Sequence, residues 1–150
     1  MDFLPNAFDS PVWYIGMQIN GATELLTQKR YREILAKRLN RDQRNALIKV
    51  EEYTILPTSI HLIIRELALS LEMWWPVFRE TVAEELGESG TADNMGPVFW
   101  DNLTQQLISD AATFEKCAAD LLYQPVLKGY TTDPGFYEFN SINNIAGIDL

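Results

Sequence analysis

Two residue types that carry much of metal and nucleophile chemistry are nearly missing from this 150-residue chain, which has one histidine and one cysteine. The lone thiol, Cys117, excludes an intrachain disulfide and any multi-cysteine zinc site. The lone imidazole, His61, excludes a histidine-based metal cluster, an HExxH site and a Ser-His-Asp triad with a histidine to spare. The phosphate-cradling patterns GxGxxG and GxxxxGK are both absent, so no glycine-rich nucleotide loop is indicated. No basic stretch leading into an apolar core stands at the start. The most apolar run, 60–77, is broken by His61, Arg65, Glu66 and Glu72. Those interruptions argue against a membrane span, and we expect a cytoplasmic protein.

Positive charge is also scarce: 12 Lys and Arg stand against 21 Asp and Glu, for a net charge of −9. What is present is apolar material, at 47% hydrophobic and 11% aromatic, enough to fill one core and to exclude wholesale disorder. We find no strand alternation, internal repeat or low-complexity run.

The apolar period reads as helical, and the expectation is an all-α, single-domain helical bundle over 1–124 with an irregular tail over 125–150. Ile60, Ile63, Ile64, Leu67, Leu71, Trp74 and Trp75 recur at helical spacing, with Leu62, Leu69 and Met73 on the opposite side. A helix over 58–75, opened after Pro57, is therefore expected at the centre. Asn40-Arg-Asp-Gln43 reads as a capping box opening a helix through Tyr53. Pro76 is read into the first turn of a helix ending at Gly87, Pro97 as the start of one through Leu107, and Ser109 as the cap of the last. Helices over 12–26 and 29–39 complete the bundle. The tail would pack through Tyr130, Phe136, Tyr137 and Phe139, or order against a partner.

The chain's basic residues are concentrated in one place. The segment 29–49 holds eight basic residues and two acids, while the remainder sums to −15. Such a segment attracts phosphate, or simply pairs with the acidic remainder. Only Tyr31 supplies an aromatic there, so nucleic acid is not the expected partner. Carboxylates offer other chemistry. Glu80, Glu84 and Glu88 stand four apart with Glu85 adjacent, and Glu51 and Glu52 precede Tyr53. Acids from two helices can converge on paired iron or manganese, or can face water.

The run Leu39-Asn-Arg-Asp-Gln-Arg-Asn-Ala-Leu47, then Val50-Glu-Glu-Tyr53, a Pro-Thr-Ser break and a long apolar segment, resembles the heme-oxygenase-like helical proteins. It is similar within them to the branch of TenA, PqqC and the non-haem di-iron oxidases. Glu84-Glu-Leu-Gly87 followed by Pro97-Val-Phe-Trp-Asp-Asn-Leu103 extends the likeness, which covers about 39–107. The resemblance implies that Glu85 is a metal ligand, with Glu51, Glu52 and Asp93 as further candidates for iron or manganese. It also implies histidine ligands that this chain lacks, so a complete di-iron site within one chain is excluded by count.

Three functions are consistent with these observations. The first is a non-catalytic protein holding an apolar small molecule or a partner on that helical scaffold. Its pocket or partner surface would involve His61, Arg65, Trp74, Trp75, Phe78, Phe99 and Trp100, and it would assemble as a homo- or hetero-oligomer. The second is a metal-dependent oxidase completed by a partner chain. The third is an acidic inhibitor or decoy of a nucleic-acid-binding protein.

Overall fold

The protein is described from a computed structural model covering residues 8–18, 29–88 and 102–141. Strand β1 (Val12–Gln18) leads to helix α1 (Lys29–Arg44), then to strands β2 (Ile48–Ile55) and β3 (Ser59–Glu66), helix α2 (Leu71–Glu88), strand β4 (Asn102–Ile108) and helix α3 (Ala111–Leu127). The four strands form one sheet in the order β2-β3-β1-β4, antiparallel at every step. The first six elements thus follow the β-α-β-β-α-β order of the ferredoxin-like motif, with α3 added behind.

This overturns the all-α expectation, and with it the heme-oxygenase-like bundle. Val12, Ile15 and Met17 on β1, Ile48, Val50, Tyr53 and Ile55 on β2, and Ile60, Leu62, Ile63 and Ile64 on β3 are all buried within a sheet. The reason lies in β3. A strand covered on both faces reads as a continuous apolar run, and such a run cannot be told from a buried helix by periodicity alone. The supposed 58–75 helix is β3 followed, after a short break, by the start of α2. The supposed 40–53 helix is the end of α1 joined to β2. Of the expected 97–107 helix, residues 102–107 lie in β4. The expected 12–26 helix begins instead as β1.

A bulge explains why β2 conceals its alternation. Register slips between Val50 and Glu52, so Ile48 and Val50 face inward before Glu51, and Tyr53 and Ile55 face inward after it. Without that extra residue Glu52 and Thr54 would have turned toward α1 and α2.

Each helix has an identifiable start or stop. Ser70 caps α2 through its Oγ, which accepts from Met73 N at 3.2 Å, while Glu66 Oε2 accepts from Leu71 N at 2.8 Å. Asp110, one residue beyond the expected Ser109, caps α3 by accepting from Thr113 N at 2.7 Å. Pro76 sits inside α2, not in its first turn. The stacked rings of Trp74 and Phe78, 4.6 Å apart, hold the helix to the sheet across that position. Helix α1 ends in a Schellman turn, with Leu47 N bonded to Asp42 O and Ala46 N to Gln43 O. Ala46 takes the left-handed position there, at φ 56°.

The sheet separates two cores. On one face Leu35, Leu39, Trp74, Phe78 and Val82 pack on Ile15, Leu62 and Ile64. On the other, Phe114, Cys117 and Leu121 of α3 pack on Val12, Ile63 and Ile108. A buried polar contact ties α1 to α2: Trp74 Nε1 donates to Asp42 Oδ2 at 2.9 Å, and Arg38 Nε lies 3.4 Å from Asp42 Oδ1. The chain after α3 returns to β2. Ile55 N bonds Phe139 O at 2.8 Å, Asn140 bridges Thr54, and Ser141 N bonds Tyr53 O at 3.0 Å.

Candidate functional site

Register decides what meets on the α3 face. Gly16 on β1 is opposite both His61 on β3 and Thr104 on β4, so the three positions form a row across three strands. A Cβ at Gly16 would come within 3.1 Å of Thr104 Oγ1 and 3.4 Å of His61 Nδ1. Glycine therefore leaves a flat floor where a Cβ would crowd Thr104 and fill the space up to His61. Helix α3 runs along the β2–β3 side of this face, its Leu121 carbonyl accepting from Thr54 Oγ1 and Lys128 beyond it reaching Ser59, and leaves the row beside it at Gly16 and Thr104 open. The result is a cleft of about 360 Å³ bounded by Tyr14, Gly16, His61, Thr104, Asp120 and Gln124, with Gln105 and Gln106 at its edge.

Two hydrogen-bonded groups shape it. In the first, His61 Nε2 lies 3.1 Å from the fully buried Ser59 Oγ, which accepts from Lys128 Nζ at 3.0 Å. With that lone pair occupied, the Ser59 proton can point at Nε2, leaving Nδ1 to carry the ring proton toward Gly16. Burial, helped by the Lys128 charge, pushes His61 down to about 4, so the imidazole is neutral at pH 7. Burial also lowers Lys128. In the second group, Tyr14 Oη donates to Asp120 Oδ2 at 2.7 Å, and Gln124 Nε2 stands 3.5 Å from the same oxygen. Burial first, then the Asp120 carboxylate, raises Tyr14 well above the ordinary phenol range and keeps it protonated.

The residues singled out from the sequence are dispersed. His61 lies in the cleft, and Arg65 lies further along β3, bonded to Glu51 Oε1 at 2.9 Å. Trp74 and Phe78 are core residues on the opposite face, while Trp75 joins Trp13 and Leu103 around a separate cavity of about 470 Å³. Glu85 lies 3.5 Å from Arg38. Glu51 also lies 3.7 Å from Lys49, and Glu52, raised mainly by burial, bonds Ser141. Asp93, Phe99 and Trp100 lie outside the described residues. Among the described residues no three His, Cys, Asp or Glu side chains converge as a metal cage requires. No described helix is long and apolar enough to cross a membrane.

Tyr14, Gly16, Thr104, Asp120 and Gln124 were not anticipated. Reading 12–18 with a period of two would have put Tyr14 and Gly16 on one face, and the spacing of Asp120 and Gln124 puts them on one face of α3.

No protein-family model and no curated protein matches the sequence. The fold does have solved counterparts. One is the structure of a REP-associated tyrosine transposase bound to a REP hairpin, which superposes with a TM-score of 0.74 at 13% identity, over 94% of this chain and 83% of that one. A likeness at that identity shows a shared α+β fold. It overturns the heme-oxygenase-like assignment, and with it the apolar-ligand and di-iron readings that were argued on that helical scaffold.

Proposed function

We propose that this protein binds a nucleic acid hairpin. The observation that carries the reading is the cleft itself: a row of small and neutral hydrogen-bonding groups on the half-open sheet face of a fold shared with a transposase bound to a REP hairpin. Neutral donors and acceptors of this kind suit base edges and sugar oxygens.

Charge supports the same reading, against the expectation drawn from composition. On α1, Lys29 pairs with Glu138 at 2.7 Å and Arg38 with Asp42 and Glu85. Lys37, Arg41 and Arg44 are exposed, follow one another at spacings of four and three, and make no ion pair among the described residues. They form a local positive stripe on the outer side of α1, across the sheet from the cleft, on a chain whose net charge is negative, and a stripe of that kind attracts nucleic acid phosphates whatever the cleft holds. The experiment is fluorescence anisotropy of a labelled DNA hairpin across a salt series. Wild type should bind, with affinity falling as salt rises. Reversing Lys37, Arg41 and Arg44 to Glu should weaken binding at least about tenfold and make the salt dependence shallower by about 2–3 in log-log slope. Absence of wild-type binding at low salt would sink the reading.

A second reading, strand transfer through a tyrosine, is favoured by one contact, the hydrogen bond from Tyr14 Oη to the Asp120 carboxylate. The phenol oxygen would bond phosphorus, a phosphodiester P–O bond would break, and Asp120 would take the phenol proton. The raised Tyr14 favours the protonated form and weighs against this. A denaturation-resistant protein–DNA adduct that disappears in Tyr14→Phe would favour strand transfer over binding alone.

A further inference from the structure

The cleft has a chemical bias that hairpin binding alone does not specify. Its floor is flat because Gly16 contributes no side chain between Thr104 and His61. Its α3 wall presents the Asp120 carboxylate and the Gln124 amide, and Gln106, opposite Tyr14, lies beside them on β4. The ammonium of Lys128 is directed to Ser59. A phosphate entering here would meet a carboxylate as a like charge. A planar ring would instead lie on the glycine floor with its edge against carboxylate and amide oxygens.

We infer that the cleft takes one unpaired nucleobase bearing an exocyclic amine, laid flat over Gly16 and donating that amine to Asp120. This rests on the hairpin-binding reading and goes beyond it by naming the base class. At about 360 Å³ the space is at the small end of ligand sites, the scale of a single base and its water. The pairing follows general rules of base recognition: a carboxylate accepts from the cytosine amine, and glutamine amides bond adenine by donating and accepting together. Thymine offers no amine to Asp120, and its carbonyl oxygens would face the carboxylate.

Binding of one hairpin stem carrying a single unpaired nucleotide at its foot tests this, with that nucleotide varied as adenine, cytosine, guanine, thymine or an abasic residue. The three amine-bearing bases should bind wild type about tenfold or more tighter than thymine and the abasic form. Asp120→Asn should shrink that ratio toward one. Gln124→Ala, which leaves the Tyr14–Asp120 hydrogen bond in place, should reduce it in part, and thermal melting checks that both variants fold. Equal wild-type binding of all five hairpins would overturn the base pocket while leaving hairpin binding standing. Failure to bind any of the five at low salt would remove both.

Discussion

On one face of the sheet, Leu35, Leu39, Trp74 and Phe78 close over Ile15, Leu62 and Ile64, all of them buried. On the other, α3 covers Val12, Ile63 and Ile108 but runs to one side of Gly16, leaving glycine, histidine and threonine under an open cleft. Both faces hang on the same strands, and residues alternate between them one by one. The side under α1 and α2 is sealed at its centre and opens beside β4, at the Trp13–Trp75 cavity; its large apolar volume supplies stability. The half-covered side contributes less apolar burial and keeps a row of polar groups within reach of a ligand.

The sharpest way to break this contrast is to damage the sealed side. Asp42→Ala removes the acceptor of Trp74 Nε1 and the ionic partner of Arg38 in the buried contact between α1 and α2. The expected loss is about 3–5 kcal/mol in urea unfolding, because the buried indole donor loses its acceptor and the largely buried Arg38 keeps its longer contact to Glu85 alone among the described residues. Hairpin affinity measured where the variant is still folded should be little changed. A comparable loss of binding in folded protein would show that the two faces are not separable.

The open side has its own signature, in pH. His61 falls from an ordinary 6.5 to about 4 in the fold, so between those values the unfolded chain binds more protons than the native one. Stability from this group is complete above about pH 6.5 and drains away as pH falls toward 4, by up to about 3 kcal/mol. Unfolding curves of His61→Gln, which has no proton to take up there, should lose that part of the acid sensitivity. An unchanged pH profile would mean that His61 is not held neutral.

The smallest effect belongs to the end of α1, remote from either core. Ala46 occupies a left-handed position that glycine adopts without steric cost. Ala46→Gly should raise stability by about 0.5–1 kcal/mol, read as a small upward shift in Tm, with hairpin binding unaltered.

How much of this was legible depended on the element. Helix α1 as far as Leu39 and most of α3 were visible, because Leu35, Leu39, Phe114, Cys117 and Leu121 repeat at helical spacing. The strands were not, for separate physical reasons. β3 is buried on both faces, β2 shifts phase at Glu51, and β4 carries Leu103 and Leu107, whose spacing imitates a helix turn. The break between Glu66 and Leu71 is only four residues long, with apolar Leu67 and Leu69 inside it, so strand and helix merged into one stripe. Of the cleft, only His61 stood out. A glycine, a threonine and a glutamine carry no reactive signal alone, and it is cross-strand register that gives them a common purpose.

The return of the chain to β2 has a consequence for self-association. Residues 139–141 occupy backbone groups of Tyr53 and Ile55 that would otherwise lie at the border of the sheet. Among the described residues, β4 is then the border that pairs on one side only. A fibril grows by adding strands at both borders, and cover along 53–55 shortens the template that β2 offers. Without the 139–141 contacts the backbone groups of Tyr53 and Ile55 would stand open as a template for a second copy.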